Sequence, residues 1–99
     1  MALMEISVVP VGLGTPSVGD HIAALVDYLQ KNHIPFRLTD MGTVIEGSSA
    51  QLMDWARLLH ELPFAKGVQR VVTHIAIDDR RDKKVSLGDK IASVEARLT

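Results

Sequence analysis

Phe36-Arg37-Leu38-Thr39-Asp40-Met41-Gly42-Thr43-Val44-Ile45-Glu46-Gly47 reads as two short strands around a tight turn. Phe36 to Thr39 alternates as a strand should, Asp40-Met41-Gly42 supplies the turn, and Thr43 to Glu46 forms the second strand. A helical stripe flanks this hairpin on each side. Before it, Ile22, Leu25, Val26 and Leu29 fall at i, i+3, i+4 and i+7, and Asn32, His33 and Pro35 end the helix. After it, Ser48 and Gln51 match a capping box, Leu52, Trp55, Ala56 and Leu59 repeat the spacing, and Pro63 marks the stop.

Outward from these helices lie two longer strands. Leu3 to Val11 is apolar on both faces, which predicts an internal strand, and Pro10 closes it. Gly12-Leu13-Gly14-Thr15-Pro16 turns the chain, with Thr15 or Ser17 as helix cap and Pro16 in the first turn. Gly67 precedes Val68 to Asp78, the longest strand, and Ser86 is placed to cap a last helix with the stripe Leu87, Ile91, Val94 and Leu98. The order β-α-β-β-α-β plus α predicts an α+β fold: a ferredoxin-like sandwich, four antiparallel strands under two helices, with an additional C-terminal helix. The 99 residues suit a single domain, 1–99.

Two helices cover one face of such a sheet. The last strand carries Val71, Ile75 and Ile77 on one side and Val72, His74 and Ala76 on the other, so the bare face is half apolar. A second subunit packed sheet to sheet, or the final helix lent to a neighbour, would cover it, and a homo-oligomer is expected.

Composition narrows the function classes. Apolar residues make up 46% of the chain and the formal net charge is −1, which gives no support for a nucleic-acid or anionic-membrane surface, since these usually need a basic excess. The run Asp78-Asp79-Arg80-Arg81-Asp82-Lys83-Lys84 has mixed signs and reads as a solvated loop. Cysteine is absent, which excludes disulfides, thiolate metal sites and thiol catalysis and fits a cytoplasmic setting. The start has no basic region followed by a long apolar core, so no signal peptide is expected, and no apolar run reaches membrane-spanning length. His21, His33, His60 and His74 lie on different elements without ligand spacing, so no metal is expected.

Candidate chemistry concentrates in two places. The Gly12-Leu13-Gly14 turn lacks the further residues of a dinucleotide or P-loop fingerprint. It is a tight strand-to-helix turn, or a polar-ligand site using helix-start N–H groups with Thr15 and Ser17. Glu46 is the second. If Ile45 and Thr43 face the helices, Val44 and Glu46 face the bare side, where a carboxylate is either solvated at an edge or paired with a donor or cation. Asp40 and Thr39 add polar groups nearby, although Asp before a turn also has a purely conformational role.

The blocks Val9-Pro10-Val11-Gly12-Leu13-Gly14-Thr15-Pro16-Ser17 and Leu38-Thr39-Asp40-Met41-Gly42-Thr43-Val44-Ile45-Glu46-Gly47 resemble the thiamine-binding protein family of the YkoF-like superfamily. Gly67 to Val71 and Ile77 to Arg80 fit the same pattern. The resemblance spans nearly the whole chain and implies a ferredoxin-like fold assembled as dimers or tetramers. It implies non-catalytic binding of thiamine or its hydroxymethylpyrimidine moiety near subunit interfaces, with no further cofactor. Its binding region falls on the Gly12–Ser17 turn, with Gly12, Thr15 and Ser17, and on the Met41–Glu46 strand, with Met41, Gly42, Thr43 and Glu46; Thr39 and Asp40 complete the candidate ligand-binding set as the polar groups nearby. Many members carry proline before Met-Gly-Thr, where this chain has Asp40, a change that bears on ligand preference or on the turn. An aminopyrimidine suits a carboxylate with neighbouring hydroxyls, thiazolium suits Glu46 or Asp40, and Met41 could lie against a flat ring. The rival reading is a structural or regulatory oligomer without a small ligand. An acylphosphatase-like enzyme lacks its loop arginine, and an RNA-binding sheet lacks its aromatics on Val68 to Asp78.

Overall fold

The computed structural model describes residues 1–14 and 18–98. Strand β1 (Ala2–Pro10) is central, pairing antiparallel with β3 (Thr43–Gly47) on one side and β4 (Val71–Asp78) on the other. Strand β2 (Phe36–Leu38) pairs with β3 at the outer edge, giving the order β2-β3-β1-β4. Helices α1 (Gly19–Lys31) and α2 (Ser49–Ala65) interleave in chain order, and α3 (Asp89–Arg97) follows β4. The α+β class, the ferredoxin-like topology, the additional helix and the internal first strand all stand as the sequence predicts.

Register decides which side chains meet the helices. Met4 lies opposite Ile45 and Ile77, and Ile6 opposite Thr43 and Ile75, so these share one face. Met4, Ile6 and Ile45 are fully buried there against Leu29, Leu52 and Leu59 of the two helices. Burial of each such aliphatic side chain is worth about 1.5–3 kcal/mol, and this cluster is the main cohesive element. The other face carries Leu3 between Glu46 and Asp78, Glu5 between Val44 and Ala76, and His74 beside Ser7. No helix of the sandwich packs there.

Close packing fixes one glycine. A Cβ on Gly47 would stand 2.7 Å from Cζ3 of Trp55, so α2 seats its indole on bare backbone at the end of β3. The α2 capping box is formed: Ser48 Oγ accepts from the Gln51 N–H, and Gln51 Oε1 accepts from the Ser48 N–H. His60 of α2 is tied to Thr73 of β4 through Nδ1 and Oγ1, 2.7 Å apart.

Several boundaries move. The last strand begins at Val71, not Val68, because β1 ends its pairing at Pro10 opposite Val71 and the Val68 N–H turns back to the Pro63 carbonyl. Helix α2 runs on to Ala65 with Pro63 inside it: proline removes one N–H, yet Lys66 and Gly67 still donate to the Pro63 and Phe64 carbonyls. Strand β2 stops at Leu38 because Thr39 is committed to the turn. The α1 N-cap is Val18 and makes no side-chain cap bond, whereas Thr15, Pro16 and Ser17 lie outside the described residues. Ser86 does not cap α3. Its N–H instead donates to Asp89 Oδ2, and Gly88 takes the N-cap place at a φ of 87° that favours glycine.

The segment before α3 crosses the bare sheet face. The Leu87 N–H donates to Glu46 Oε1 at 3.0 Å, and a Cβ on Gly88 would come within 2.9 Å of the Arg37 guanidinium. Beyond it, no described residue of α3 is buried, and Ile91, Val94 and Leu98 are exposed. The radius of gyration is 14.9 Å. A compact domain of this length would have about 13 Å, and a projecting terminal helix accounts for the excess. The β4–α3 loop is solvated, as its mixed charges predict, with Arg81 paired to Asp79 and Arg80 to Asp82. These guanidinium bonds hold both carboxyls below the usual range.

Candidate functional site

A cavity of about 210 Å³ opens between the sheet and the helices at the end of the sandwich where β1 finishes and β3 begins. Its floor is apolar: Ile6 and Val8 from β1, Leu25 from α1, and Leu59, Leu62 and Pro63 from α2. Its mouth is formed by Val18, His21 and Ile22 of the α1 start and by the turn from Leu38 to Thr43. Apolar walls with a few polar groups at the rim are the usual makeup of a small-molecule pocket.

The hairpin turn is held by Thr39. Its Oγ1 donates to the Gly42 carbonyl at 2.7 Å and lies within reach of the Met41 and Gly42 N–H groups at 3.3 and 3.2 Å. With its hydroxyl and N–H both turned to Gly42, Thr39 shapes the rim and has little left for a ligand. Asp40 is exposed and has no ion-pair partner among the described residues. Met41 is 82% exposed, a flexible thioether standing at the opening. Gly42 sits close to the Ile6 carbonyl, and Thr43 is buried below it. At the opposite lip, the first turn of α1 presents His21, whose ring has no partner among the described residues.

The sequence-derived residues thus divide. Thr39, Asp40, Met41, Gly42 and Thr43 come together on this cavity. Gly12 lies beside it, in an adjoining depression with Leu13, Lys66 and Arg70, and His21 borders both. Glu46 does face the bare side of the sheet, away from Thr43 and Ile45, as alternation predicts. Its carboxylate there meets the Leu87 N–H of the same chain, and it does not line the cavity. Thr15 and Ser17 lie outside the described residues. The sequence reading does not place His21 or Ile22 in the site; the one signal is their position in the first turn of α1, where Ile22 opens the apolar stripe that leads to the buried Leu25 and Leu29. Among the described residues no group of three or more acidic or histidine side chains could hold a metal ion.

The fold and the cavity define a class: a ferredoxin-like α+β sandwich with a small, mostly apolar cavity under its β2–β3 turn. The chain belongs to the thiamine-binding protein family, whose pattern matches residues 4–95. The UPF0045 protein YqgV of Bacillus subtilis is 43% identical over 102 residues, covering 99% of this chain and 98% of its own length. A UPF0045 protein of Methanothermobacter thermautotrophicus is 34% identical over 99 residues, covering 99% of this chain and all of its own. Among solved structures, a Methanocaldococcus jannaschii protein superposes with a TM-score of 0.83 at 26% identity over 95% of each chain. A Thermotoga maritima protein, provisionally named for thiamine biosynthesis or salvage, gives 0.77 at 17% identity, covering 94% of this chain and 97% of its own; that likeness is one of fold.

Proposed function

We propose that this protein binds thiamine or its hydroxymethylpyrimidine moiety without catalysis, working as a cytoplasmic homo-oligomer. The observation that carries the reading is the size and lining of the cavity under the Thr39–Thr43 turn. An apolar cavity of about 150 Å³ admits benzene. The roughly 210 Å³ here fits one substituted six-membered ring with its polar edge at the rim. The pyrimidine enters, and the thiazolium of thiamine extends past the mouth toward Asp40 and Met41. Asp40 accepts from the amino group or faces the thiazolium charge, a charge-assisted contact stronger than a neutral one. The family's description supports the ligand class, and so does the name given to the Thermotoga maritima neighbour.

Oligomerisation accounts for what the chain leaves uncovered. The α3 stripe of Ile91, Val94 and Leu98 lies in solvent, and part of the sheet's second face is apolar. A second copy would bury both, as a dimer or tetramer. Calorimetric titration with thiamine and with hydroxymethylpyrimidine tests the ligand. Heat and a rise in melting temperature are expected. No heat and no thermal shift at millimolar ligand would refute it and leave the structural oligomer, which the bare α3 stripe favours.

A further inference from the structure

We infer that the preferred occupant is the phosphate ester of the hydroxymethylpyrimidine ring, its phosphoryl group held outside the ring cavity by Lys66 and Arg70 with His21. The inference rests on the reading above, that a ring occupies the cavity under the hairpin turn. The neighbouring depression, about 560 Å³ and open to solvent, shares His21 with that cavity. Its ionisable side chains are His21, Lys66 and Arg70; no carboxylate lines it among the described residues. Neither Lys66 nor Arg70 is in an ion pair among those residues, so both are free to meet an anion, and what sets them apart from other unpaired cations of the chain is their place on this depression beside the ring cavity.

The backbone keeps these two cations beside the cavity. The Val11 N–H donates to the Arg70 carbonyl at 2.9 Å, pinning the segment before β4 to the end of β1. The Val68 N–H donates to the Pro63 carbonyl at 3.2 Å, and Pro63 itself lines the ring cavity. Lys66 is the C-cap of α2 and so complements the half negative charge of that helix end. Arg70 lies beyond the helix and has no such role. The whole therefore presents an apolar slot, an acidic group on its hairpin side at Asp40, and a basic shelf on its α2 side. A neutral ring uses only the slot and Asp40. A ring carrying a phosphomonoester, with two acceptor-rich negative charges, uses all three, and the guanidinium fork of Arg70 matches phosphate geometry.

The test compares hydroxymethylpyrimidine with its phosphate ester by calorimetric titration at low and physiological salt. Two exposed cation–phosphate contacts should make the ester bind about tenfold tighter at low salt, with the advantage shrinking as salt rises. In the Lys66→Ala/Arg70→Ala variant the ratio of the two affinities should fall to about one. Both side chains are exposed, and a thermal melt matching the parent confirms that the variant folds. An unphosphorylated ring binding as tightly as its ester would overturn the phosphate assignment while leaving the ring pocket standing. An ester preference that survives in the double variant would overturn it as well. If neither form binds, the ring-binding reading fails and this inference fails with it.

Discussion

Replacing Glu46 by alanine separates two roles that a carboxylate on β3 can play. The Glu46 Oε1 accepts the Leu87 N–H at 3.0 Å, a bond that straps the segment before α3 across the sheet. A hydrogen bond to a charged acceptor contributes about 1.5–3 kcal/mol net when buried. Glu46 is only half-buried, so about 1 kcal/mol is the appropriate magnitude here, lost from the local closing of the strap and not from the core. The Glu46 N–H keeps its bond to the Pro35 carbonyl in the variant, so β3 stays in register. Amide hydrogen exchange by NMR reads the effect directly. At about 1 kcal/mol the Leu87 amide should exchange roughly fivefold faster in Glu46→Ala, whereas the Met4 and Ile45 amides in the core change far less. Glu46→Gln retains a neutral acceptor and should fall between. Ring affinity should remain within about twofold of the parent, since RT ln 2 is small beside any direct ligand contact. Unchanged exchange at Leu87 together with lost ring affinity would refute the strap and return Glu46 to a ligand-pairing role.

Other substitutions probe the remaining parts. Gly47→Ala places a methyl 2.7 Å from the Trp55 ring and should cost about 1–3 kcal/mol in urea unfolding, with a shifted emission from this sole tryptophan. Asp40→Asn, on an exposed residue, should leave the melting temperature unchanged and weaken thiamine binding about fivefold to tenfold; equal affinity would remove Asp40 from the site. Ile22→Phe enlarges a half-exposed wall of the cavity. It should abolish ring binding without loss of stability, and a ring that still binds is not in this cavity. Ile91→Asp with Val94→Asp should leave the monomer's melt intact and shift sedimentation toward smaller species; an unchanged sedimentation coefficient would show that α3 takes no part in assembly.

Local patterns were legible wherever a residue's environment is set by near neighbours. The capping box at Ser48 and Gln51, the stripes ending in Leu29 and Leu59, and the opposed faces of Thr43 and Glu46 all follow from periodicity, and the fold follows from their order. Two partners needed more than periodicity and residue type. Alternation puts Glu46 on the bare face but carries no information about a segment 41 residues downstream that returns to meet it. Ser86 has the residue type of a cap, yet the acidic Asp89 three residues on competes for the same turn and takes the Ser86 N–H itself. Within the candidate site, the stretch from Thr39 to Thr43 was found as a block because a turn is local. Gly12 and the hairpin were joined only by resemblance, and the structure links them through His21, a residue whose spacing gave no signal.

The cavity has a thermodynamic reason to be filled. A sealed apolar void destabilises by about 24 cal/mol per Å³, so the roughly 210 Å³ under the hairpin turn sets an upper limit near 5 kcal/mol. The cavity opens at its mouth, so water enters and the true cost is smaller, but water finds few partners against Ile6, Val8, Leu25 and Leu59. An added aromatic ring on one wall would fill much of it, and filling a cavity is a common route to higher stability. A ring with an apolar face and a polar edge recovers the lost contacts on the floor and meets Asp40 at the rim. The same occupant would also tie α1 to the β2–β3 turn across the mouth, where the N-cap residue Val18 makes no side-chain cap bond. Ligand binding should therefore protect the first-turn amides of α1 and the Met41–Gly42 amides together, because one molecule bridges the two lips.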